Sequence, residues 1–503
     1  MQTQPDGNRQ QNPRQPVDQQ AVGNRLDFRG AGACHRARPS QTQRQAGKPG
    51  ITPLRTRAME FLALLMVGES LNGSEPVGLG QVGGISLLER QARMLLKAGA
   101  AELLLVAPAL PAELGARLSD DRRIVRVPTA AALAEQLEGE LRPVLMFVPG
   151  LLADDRLAPA LLADGRAPLI AAFETTPPRG AERLDATSHS AGAALLPADL
   201  VQQVAAGLGD WELSGTLIRA ACESGAARLA ADALPLYVPN RRREIPLIWA
   251  MPETADERTS ATDALLASAQ KGCLDWPARF IHPPVENALV RLLLPTPITP
   301  NMITIATGVL GLGAIWLFAT GHLWWALAIV LLVGPLDGVD GKLARTRHEY
   351  SKWGDLEHVL DKVLEYGWII ALGFWFSKTH GLAAWLVAAG IIIFALSEAA
   401  SGEFFRRFTG RQLDDWGPFE RGFRLIGGRR NTFFWTLIPF GAFGLWWQGY
   451  LMILAYAFLT FAVSHWRLLK AIGDYGQQVS DEVRGNFAGT SYDFLPKQQP
   501  GAR

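Results

Sequence analysis

The sequence predicts an α/β domain in its first half and an all-α, polytopic membrane domain of about six transmembrane helices in its second half. Two observations predict this division. Up to about residue 275 no apolar run is long enough to cross a bilayer, whereas beyond residue 300 such runs dominate. The first half instead alternates short apolar runs of strand length with segments of helical periodicity. The net charge of +1 averages over both halves and hides the difference.

The N-terminal segment, residues 1–58, is rich in Gln, Arg, Pro and Gly and has few large apolar residues. A segment of this composition cannot bury a core, so we expect a disordered polar tail. Met59 follows directly and is a candidate for the true start of translation. No secretory signal precedes the apolar runs, so the membrane spans themselves are expected to direct insertion.

The predicted α/β domain covers residues 59–272. Three apolar runs predict buried strands: 61–67, 103–106 and 144–148. Helical periodicity predicts helices at residues 85–98 and 130–137. The alternation favours a Rossmann-like domain with a mostly parallel sheet. The three cysteines are widely separated and predict neither disulfides nor a zinc site.

Residues 273–300 mix apolar residues with Arg279, Glu286 and Arg291, which predicts an amphipathic linker helix on the membrane surface. The membrane domain is predicted to cover residues 301–470, followed by a cytosolic tail at 471–503. Its apolar runs predict six spans: 302–320, 323–336, 356–376, 383–400, 432–447 and 450–466. The second and third spans are expected to continue through acidic motifs into the cytosol.

Basic residues orient these spans. Lys and Arg are concentrated in the loop between the second and third spans and in the loop between the fourth and fifth, whereas the opposite loops carry few. The positive-inside rule therefore predicts an integral protein of the inner, cytoplasmic membrane, with the acidic motifs and both termini on the cytosolic side.

Two clusters of carboxylates lie where the second span ends and the third begins. Asp337 and Asp340 are three positions apart and share a helix face, and Glu357, Asp361 and Glu365 repeat every four positions. Carboxylates at the edge of a bilayer are costly unless they are neutralised. Mg²⁺ and Mn²⁺ prefer such oxygen ligands, so the pattern predicts a divalent-metal site.

The residues after the first cluster suit a phosphate. Gly341 allows a ligand or backbone to approach closely, and Arg345 supplies a planar fork that matches phosphate oxygens. The alternative interpretation is that these charges only occupy helix ends and form local salt bridges. The whole constellation beside a membrane favours the metal and pyrophosphate interpretation.

The run from Asp337 to Arg345 resembles the signature of the CDP-alcohol phosphotransferase (CDP-alcohol phosphatidyltransferase) family, D-x-x-D-G-x-x-A-R, followed by G-x-x-x-D-x-x-x-D. The first half matches at every fixed position. In the second half, strict counting from Gly354 reaches His358 and Lys362, which would make a poor metal site. A one-residue contraction aligns Glu357 and Asp361 with the last two aspartates and keeps a carboxylate at both positions.

This resemblance implies transfer of a phosphoryl-alcohol group from a CDP-alcohol donor to an acceptor hydroxyl, with release of CMP. It implies that four carboxylates hold Mg²⁺ or Mn²⁺: Asp337, Asp340, Glu357 and Asp361. It implies that three residues line the CMP pocket: Gly341, Ala344 and Arg345. Asp361 would also be the base that accepts the proton of the hydroxyl. The family further implies a homodimer in the membrane, and no nucleic-acid partner is expected.

The arginine-rich loop after the fourth span has two interpretations. It either sets topology and contacts anionic lipid, or it forms an acceptor pocket for a phosphorylated alcohol such as an inositol phosphate. Three residues are candidates for binding that phosphate: Arg406, Arg407 and Arg421.

The start of the α/β domain, from Gly68 through Pro76 to Leu88, resembles a sugar-phosphate nucleotidyltransferase. The residues that would carry that chemistry are missing. The loop has no arginine, Val77 stands where a lysine is expected, and Pro149-Gly150 stands where a metal-binding aspartate would follow the strand. The resemblance therefore implies a degenerate domain with a structural, regulatory or ligand-binding role. The domain order is similar to that of the fused inositol-1-phosphate cytidylyltransferase and di-myo-inositol phosphate phosphate synthase.

Three functions stay open at this point. The leading hypothesis is a membrane CDP-alcohol phosphotransferase in inositol-phosphate or phospholipid headgroup synthesis. The second is a bifunctional enzyme whose N-terminal half makes the CDP-alcohol. The third is a catalytically silent membrane scaffold or sensor.

Overall fold

A computed structural model describes residues 59–69, 75–209, 212–349, 354–409 and 412–477, with the backbone alone at 354–358, 408 and 474–477. The predicted tail at 1–58 lies outside these residues, and so does the part of the predicted 471–503 tail beyond residue 477. The described chain forms a seven-stranded sheet with helices, followed by a helical region. This confirms the predicted fold class of an α/β domain followed by an all-α membrane domain.

The α/β domain contains eleven strands among the described residues: β1 (Leu62–Met66), β2 (Gln81–Val82), β3 (Ile85–Ser86), β4 (Glu102–Val106), β5 (Ile124–Val127), β6 (Val144–Phe147), β7 (Leu169–Phe173), β8 (His189–Leu196), β9 (Ala227–Ala230), β10 (Tyr237–Val238) and β11 (Arg243–Glu244). The main sheet has the order β5-β4-β1-β6-β8-β7-β9. Its neighbours pair in parallel except for β8, which is antiparallel to both β6 and β7.

Seven helices accompany these strands: α1 (Leu87–Lys97), α2 (Ala112–Ser119), α3 (Ala130–Gln136), α4 (Leu157–Asp164), α5 (Ala198–Ala206), α6 (Leu213–Glu223) and α7 (Ala255–Ala269). The central strands are buried on both faces, because one apolar cluster joins the sheet to α1, α2 and α4 and another joins it to α3, α5 and α6. The result is a sheet between two helical layers.

The helical region contains α8 (His282–Leu293), α9 (Pro300–Thr320), α10 (Leu323–Thr346), α11 (Gly354–His380), α12 (Leu382–Thr409), α13 (Pro418–Ile426), α14 (Arg430–Ala442) and α15 (Trp446–Gln477). Within the described residues, α9, α10, α12 and α15 are long and apolar enough to cross a membrane. The other two predicted spans correspond to α11, whose first half carries Asp361 and Glu365, and to α14, which has 13 residues.

Two predicted helix boundaries differ from the structure, and a third agrees with it. The helix predicted from residue 85 begins at Leu87, because Ile85 and Ser86 pair with β2 and the Ser86 side chain caps α1 by accepting a hydrogen bond from the Glu89 N–H. The second span continues as one helix through the acidic motif to Thr346, as expected. The fifth span was predicted to reach residue 447, but α14 ends at Ala442 and Gly444 turns the chain with a φ of 70°.

The α/β domain and the helical region share a small apolar core. Leu266 of α7 packs in one cluster with residues of α8, α9 and α10: Val290, Leu294, Ile303, Val339 and Leu343. Because α10 carries the acidic motif, this core places the end of the α/β domain directly beside the candidate site.

Candidate active site

The carboxylates of α10 and α11 face one cavity. It has a volume of about 790 Å³, and its walls include Asp337, Asp340, Asp361 and Glu365. Asp337 and Asp361 approach each other through Arg430, whose guanidinium donates to Asp337 Oδ2 at 2.5 Å and to Asp361 Oδ1 at 3.0 Å. Members of both predicted carboxylate clusters therefore line one cavity.

Asp340 is held from the neighbouring helix α9. The Thr304 hydroxyl donates to Asp340 Oδ2 at 2.7 Å, and Asp340 is only 2 % exposed. Gly341 leaves room for a guanidinium, because a Cβ at this position would lie 2.9 Å from Arg345 Nη1. A side chain at position 341 would therefore force the Arg345 guanidinium to move from its present position.

The donor set suits a divalent ion chemically. Asp337, Asp340 and Asp361 supply hard oxygen ligands from two adjacent helices. Two of these carboxylates already share one cationic group, the guanidinium of Arg430. Within the described residues no three His, Cys, Asp or Glu side chains stand close enough to hold an ion. The side chain of Glu357 lies outside the described residues.

A buried ion pair supports the wall behind the motif. Lys342 of α10 donates to Glu286 Oε2 at 2.8 Å and to Asn287 Oδ1 at 2.7 Å, and both charged residues are nearly inaccessible. Gly338 permits the approach, since a Cβ there would lie 2.3 Å from Glu286 Oε1. Sequence reasoning treated Lys342 only as a positive charge in a cytosolic loop, because nothing local shows that it pairs with a residue 56 positions earlier.

A second group of arginines forms the basic side of the cavity: Arg424, Arg429 and Arg430. Arg424 binds Asp414 at 3.2 Å and the Cys273 carbonyl at 3.1 Å, and Arg429 pairs with Glu398 at 2.6 Å. The sequence places these three arginines in the basic loop that was assigned either to topology or to an acceptor pocket, and it did not single them out as candidates.

The predicted acceptor arginines lie elsewhere. Arg406 and Arg407 both pair with Glu403 on α12 at 2.7 Å, and Arg421 pairs with Asp415 at 2.6 Å. Arg406 lines a neighbouring cavity of about 230 Å³ between α12, α13 and α15, and this cavity shares Arg424 and Arg429 with the cavity of the carboxylates. Among the described residues, none of the three lines the cavity that holds the carboxylates.

The three predicted CMP-pocket residues do line that cavity: Gly341, Ala344 and Arg345. Arg345 also contacts the α/β domain, because its Nε donates to the Ala269 carbonyl at the end of α7 at 2.9 Å. Arg242, Gln270 and Lys271 add further polar side chains to the cavity from outside the membrane helices.

The segment after Arg345 is bound by the α/β domain. Arg90 and Arg93 of α1 donate to the carbonyls of Thr346 and Arg347, the latter at 2.9 Å. His348 Nε2 lies 2.7 Å from Asp155 Oδ1. Burial favours the neutral form of the Asp155 carboxyl and is the largest single effect, but the hydrogen bond to His348 and the electrostatic attraction of His348, Arg90 and Lys97 together lower the pKa of Asp155 to about 2.

The α/β domain has a cavity of its own, of about 250 Å³, at the carboxyl ends of β1 and β6. Among the described residues, its lining contains no Lys, Arg or His. It contains four glutamates: Glu69, Glu182, Glu212 and Glu253. Val77 lies close to two glycines of this cavity region. A Cβ added at Gly68 would lie 2.9 Å from Val77 Cγ2, and a Cβ added at Gly150 would lie 3.1 Å from Val77 Cβ. The described lining of this cavity therefore offers a triphosphate no positive charge.

Comparison with known proteins agrees with the geometry of the helical region. The family model described as CDP-alcohol phosphatidyltransferase matches residues 297–461. The phosphatidylinositol phosphate synthase of Corynebacterium glutamicum is 30% identical over 152 residues, which cover 30% of this chain and 68% of that protein. The inner membrane protein YnjF of Escherichia coli is 32% identical over 157 residues, covering 30% and 73%.

One similar protein has two activities in its name. The bifunctional IPC transferase and DIPP synthase of Rubrobacter xylanophilus is 27% identical over 171 residues, covering 32% of this chain and 38% of that protein. Among solved structures, a putative glucose-1-phosphate thymidylyltransferase from Bacillus anthracis has a TM-score of 0.29 at 8% identity, covering 40% of this chain and 94% of that one.

Enzymes of the matched family use divalent metal ions and pass an alcohol phosphate from a CDP-alcohol to an alcohol acceptor at the membrane. The signature helix α10, the facing carboxylates of α11 and the four apolar helices all lie within the matched part of the chain or extend from it. The chain belongs to the CDP-alcohol phosphatidyltransferase family.

Proposed function

We propose that this membrane CDP-alcohol phosphotransferase uses a phosphorylated alcohol as its acceptor, with an inositol phosphate as the first candidate. One observation carries the proposal: the carboxylates of α10 and α11 and the arginines Arg424, Arg429 and Arg430 face the same cavity. The carboxylates suit a metal-bound pyrophosphate, and the arginines suit a second phosphate. Relatives named phosphatidylinositol phosphate synthase support an acceptor of this class.

The metal ligands would be Asp337, Asp340, Glu357 and Asp361, with Mg²⁺ or Mn²⁺ as the ion. When bound, the ions would neutralise the diphosphate of the donor and polarise the phosphorus that is attacked. Thr304 contributes by fixing the Asp340 carboxylate through its hydroxyl at 2.7 Å. Gly341, Ala344 and Arg345 would bind the CMP part, with the Arg345 fork directed at phosphate oxygens.

Arg430 connects the two sides of the cavity. Its guanidinium contacts both Asp337 and Asp361, and its neighbour Arg429 lies at the same helix end. A planar guanidinium pairs equally well with carboxylate and phosphate oxygens. We infer that Arg430 neutralises the carboxylates in the described state and can turn toward the acceptor phosphate.

Asp361 is the proposed base for the acceptor hydroxyl. It lies on α11 and lines the cavity together with Arg430, so it can be reached by an acceptor whose phosphate is bound by the arginines. A carboxylate within hydrogen-bond reach of the hydroxyl can accept its proton as the bond to phosphorus forms.

The α/β domain is proposed not to make the CDP-alcohol. Four glutamates in its cavity would repel a triphosphate, and Val77 fills part of the space. The bifunctional alternative predicts pyrophosphate release from CTP and an inositol or sugar phosphate by the full-length protein. We expect none, and pyrophosphate release that persists in Asp361→Asn would instead establish a second active site.

The cavity is proposed to open on the cytosolic side. Its arginines belong to the basic loop between α12 and α14, which the positive-inside rule places in the cytosol. The α/β domain contacts the same end of α10, so it would lie on that side as well.

The test is CMP release by the purified full-length protein with Mg²⁺ or Mn²⁺. CDP-diacylglycerol and CDP-inositol would each be combined with inositol, inositol phosphate and glycerol phosphate. Asp340→Asn should lower the rate by more than the roughly 10–100-fold that loss of an outer-shell partner costs. Asp199→Asn, an exposed change on α5, is the matched control. Absence of release with every pair, in a folded protein that also fails to bind CMP, would favour the silent scaffold.

A further inference from the structure

A small recess lies in the wall of the phosphotransferase cavity at Gly334. Gly334 lines the cavity that holds the carboxylates, and it stands three positions before Asp337, on the same face of α10. A Cβ at Gly334 would lie 2.8 Å from His282 Cε1, 3.2 Å from His282 Nε2 and 3.2 Å from Asn431 Oδ1. Without a side chain at position 334, a space remains that two polar atoms border, one from α8 and one from α14.

The histidine at this recess is buried, and one of its ring nitrogens has no partner. His282, the first residue of α8, lines the cavity and is only 3 % exposed. Its Nδ1 lies 4.0 Å from Glu286 Oε1, whereas its Nε2 makes no hydrogen bond within the part of the chain that the structure describes. A buried polar atom without a partner is costly, so we expect Nε2 to gain one when the cavity is occupied.

Asn431 is oriented toward the same recess by Asp275. The Asn431 Nδ2 lies 3.3 Å from each carboxylate oxygen of Asp275, and an ionised carboxylate can only accept hydrogen bonds. The amide oxygen is therefore directed away from Asp275 and toward Gly334. Asp275 is itself buried and accepts a hydrogen bond from the Ala278 N–H at 3.1 Å, so the carboxylate that orients the amide is held in place.

These two polar atoms match a hydroxyl group. A hydroxyl can donate to Asn431 Oδ1 and at the same time accept from the Nε2–H of a neutral imidazole. A phosphate oxygen can only accept, so it would face the amide oxygen unfavourably, and an acyl chain would satisfy neither atom. The recess therefore suits an alcohol that carries free hydroxyl groups.

The recess and the proposed CMP pocket lie on opposite sides of the metal carboxylates. Along α10, Gly334 precedes the carboxylates and Arg345 follows them, and at 1.5 Å per residue the two are about 17 Å apart along the helix axis. A pyrophosphate on the carboxylates with its cytidine end toward Arg345 has its alcohol end toward Gly334. Arg430, the proposed ligand of the acceptor phosphate, directly precedes Asn431, so the alcohol of the acceptor is also expected on this side.

We propose that His282 and Asn431 bind a hydroxyl of a polyol substrate in the recess at Gly334. The inference rests on the proposed transferase function and adds a residue of α8 to its substrate site. The hydroxyl belongs either to the phosphorylated acceptor or to the alcohol part of the donor, since both ends meet on this side of the carboxylates.

The experiment uses full-length protein with three substitutions. His282→Phe keeps a ring of similar shape and removes both nitrogens, whereas His282→Gln keeps an amide that can donate. Gly334→Ala closes the recess independently, because it places a Cβ there. His322→Phe is the matched control, since His322 is exposed and lies at the opposite end of α10 from the signature motif. Thermal unfolding in detergent is measured for each protein.

The substrates are chosen to separate the two sources of the hydroxyl. KM is measured for inositol phosphate with CDP-diacylglycerol, whose alcohol part has no free hydroxyl, and for both substrates when CDP-inositol is the donor. CMP binding is measured by calorimetry in Mg²⁺. His282→Phe and Gly334→Ala should each raise one KM by about tenfold, as expected when a buried hydrogen bond loses one partner. His282→Gln should retain most of the affinity, and CMP binding should not change.

The pattern identifies the hydroxyl. A higher KM for inositol phosphate with both donors assigns it to the acceptor, and a higher KM for CDP-inositol alone assigns it to the alcohol of the donor. Three results would overturn the inference: unchanged KM values in His282→Phe and Gly334→Ala, a loss in His282→Gln equal to that in His282→Phe, or an equal loss of CMP binding. A wild-type protein that releases no CMP would instead contradict the proposed function, so the two failures can be told apart.

Discussion

The two cavities of this molecule, one in the helical region and one at the carboxyl ends of β1 and β6, differ in charge and in volume. The cavity of the helical region is about 790 Å³ and presents carboxylates on one side and arginines on the other. The cavity of the α/β domain is about 250 Å³, carries four glutamates and is partly filled by Val77. The first combination of charges is compatible with a pyrophosphate and its metal ions, whereas the glutamates of the second would repel a pyrophosphate.

The difference teaches that charged side chains of the α/β domain serve contacts with the helical region. The arginines of α1 bind backbone carbonyls at the end of α10 and directly after it. Asp155, which follows β6, pairs with His348. These polar residues connect the domain to the signature helix.

The largest effect is expected at the proposed base. Asp361→Asn should lower CMP release by about 10²–10⁴-fold, the range for loss of general acid–base catalysis. The matched change in the other cavity, Glu182→Gln, should leave the rate unchanged because that cavity takes no part in the transfer. Steady-state CMP release measures both variants, and a similar loss in each would contradict the contrast between the cavities.

A large effect on stability is expected at the buried ion pair between Lys342 and Glu286. Lys342→Met leaves the buried carboxylate of Glu286 without its cation, which should cost about 3–5 kcal/mol. Removing both charges, with Lys342→Met and Glu286→Leu together, should restore most of this stability, because no buried charge then remains unpaired. Thermal unfolding in detergent measures the three proteins. A double variant no more stable than Lys342→Met would show that the pair acts through something other than charge.

A smaller effect, on catalysis, is expected at Arg430, which contacts both Asp337 and Asp361. Arg430→Met should raise the KM of a phosphorylated acceptor and lower kcat/KM by about 10–100-fold, since a charge-assisted pair is worth roughly 1.5–3 kcal/mol. Arg421→Met should change neither quantity, because Arg421 pairs with Asp415 and does not line the cavity in the described structure. Kinetics with inositol phosphate compare the two variants, and a larger loss in Arg421→Met would return the acceptor site to the residues first chosen from the sequence.

The sequence predicted what depends on local spacing. The i, i+3 pair Asp337 and Asp340 lies on one helix with Gly341 and Arg345, and the motif continues the apolar helix without a break. The alternating runs of the first half likewise form a mostly parallel sheet. These features follow from the helical and extended periods themselves, so one stretch of chain is enough to predict them.

Contacts between distant positions could not be predicted in the same way. Arg430 reaches Asp337 across 93 positions, and Asp155 reaches His348 across 193. In a single sequence, an arginine beside a span indicates topology whether or not it also binds an anion. Two groups of arginines were therefore indistinguishable: Arg424, Arg429 and Arg430 on one side, and Arg406, Arg407 and Arg421 on the other. The packing of α14 against α10 and α11, with Arg424 of α13 at the same cavity, separates the two groups.

The smallest effect is expected at the contact between Asp155 and His348. The pKa of Asp155 is lowered from 3.8 to about 2, so its contribution to stability is complete above pH 4 and is lost as the pH falls toward 2. Because Asp155 is about half exposed, the contribution should be at most about 1 kcal/mol. Asp155→Asn should therefore lower the unfolding temperature slightly at pH 7 and not at all near pH 2, as measured by thermal unfolding of the full-length protein. An equal difference at both pH values would mean that Asp155 stabilises the protein through packing and not through its charge. Asp155 and His348 would then not form an ionic contact between the α/β domain and the segment after the signature helix.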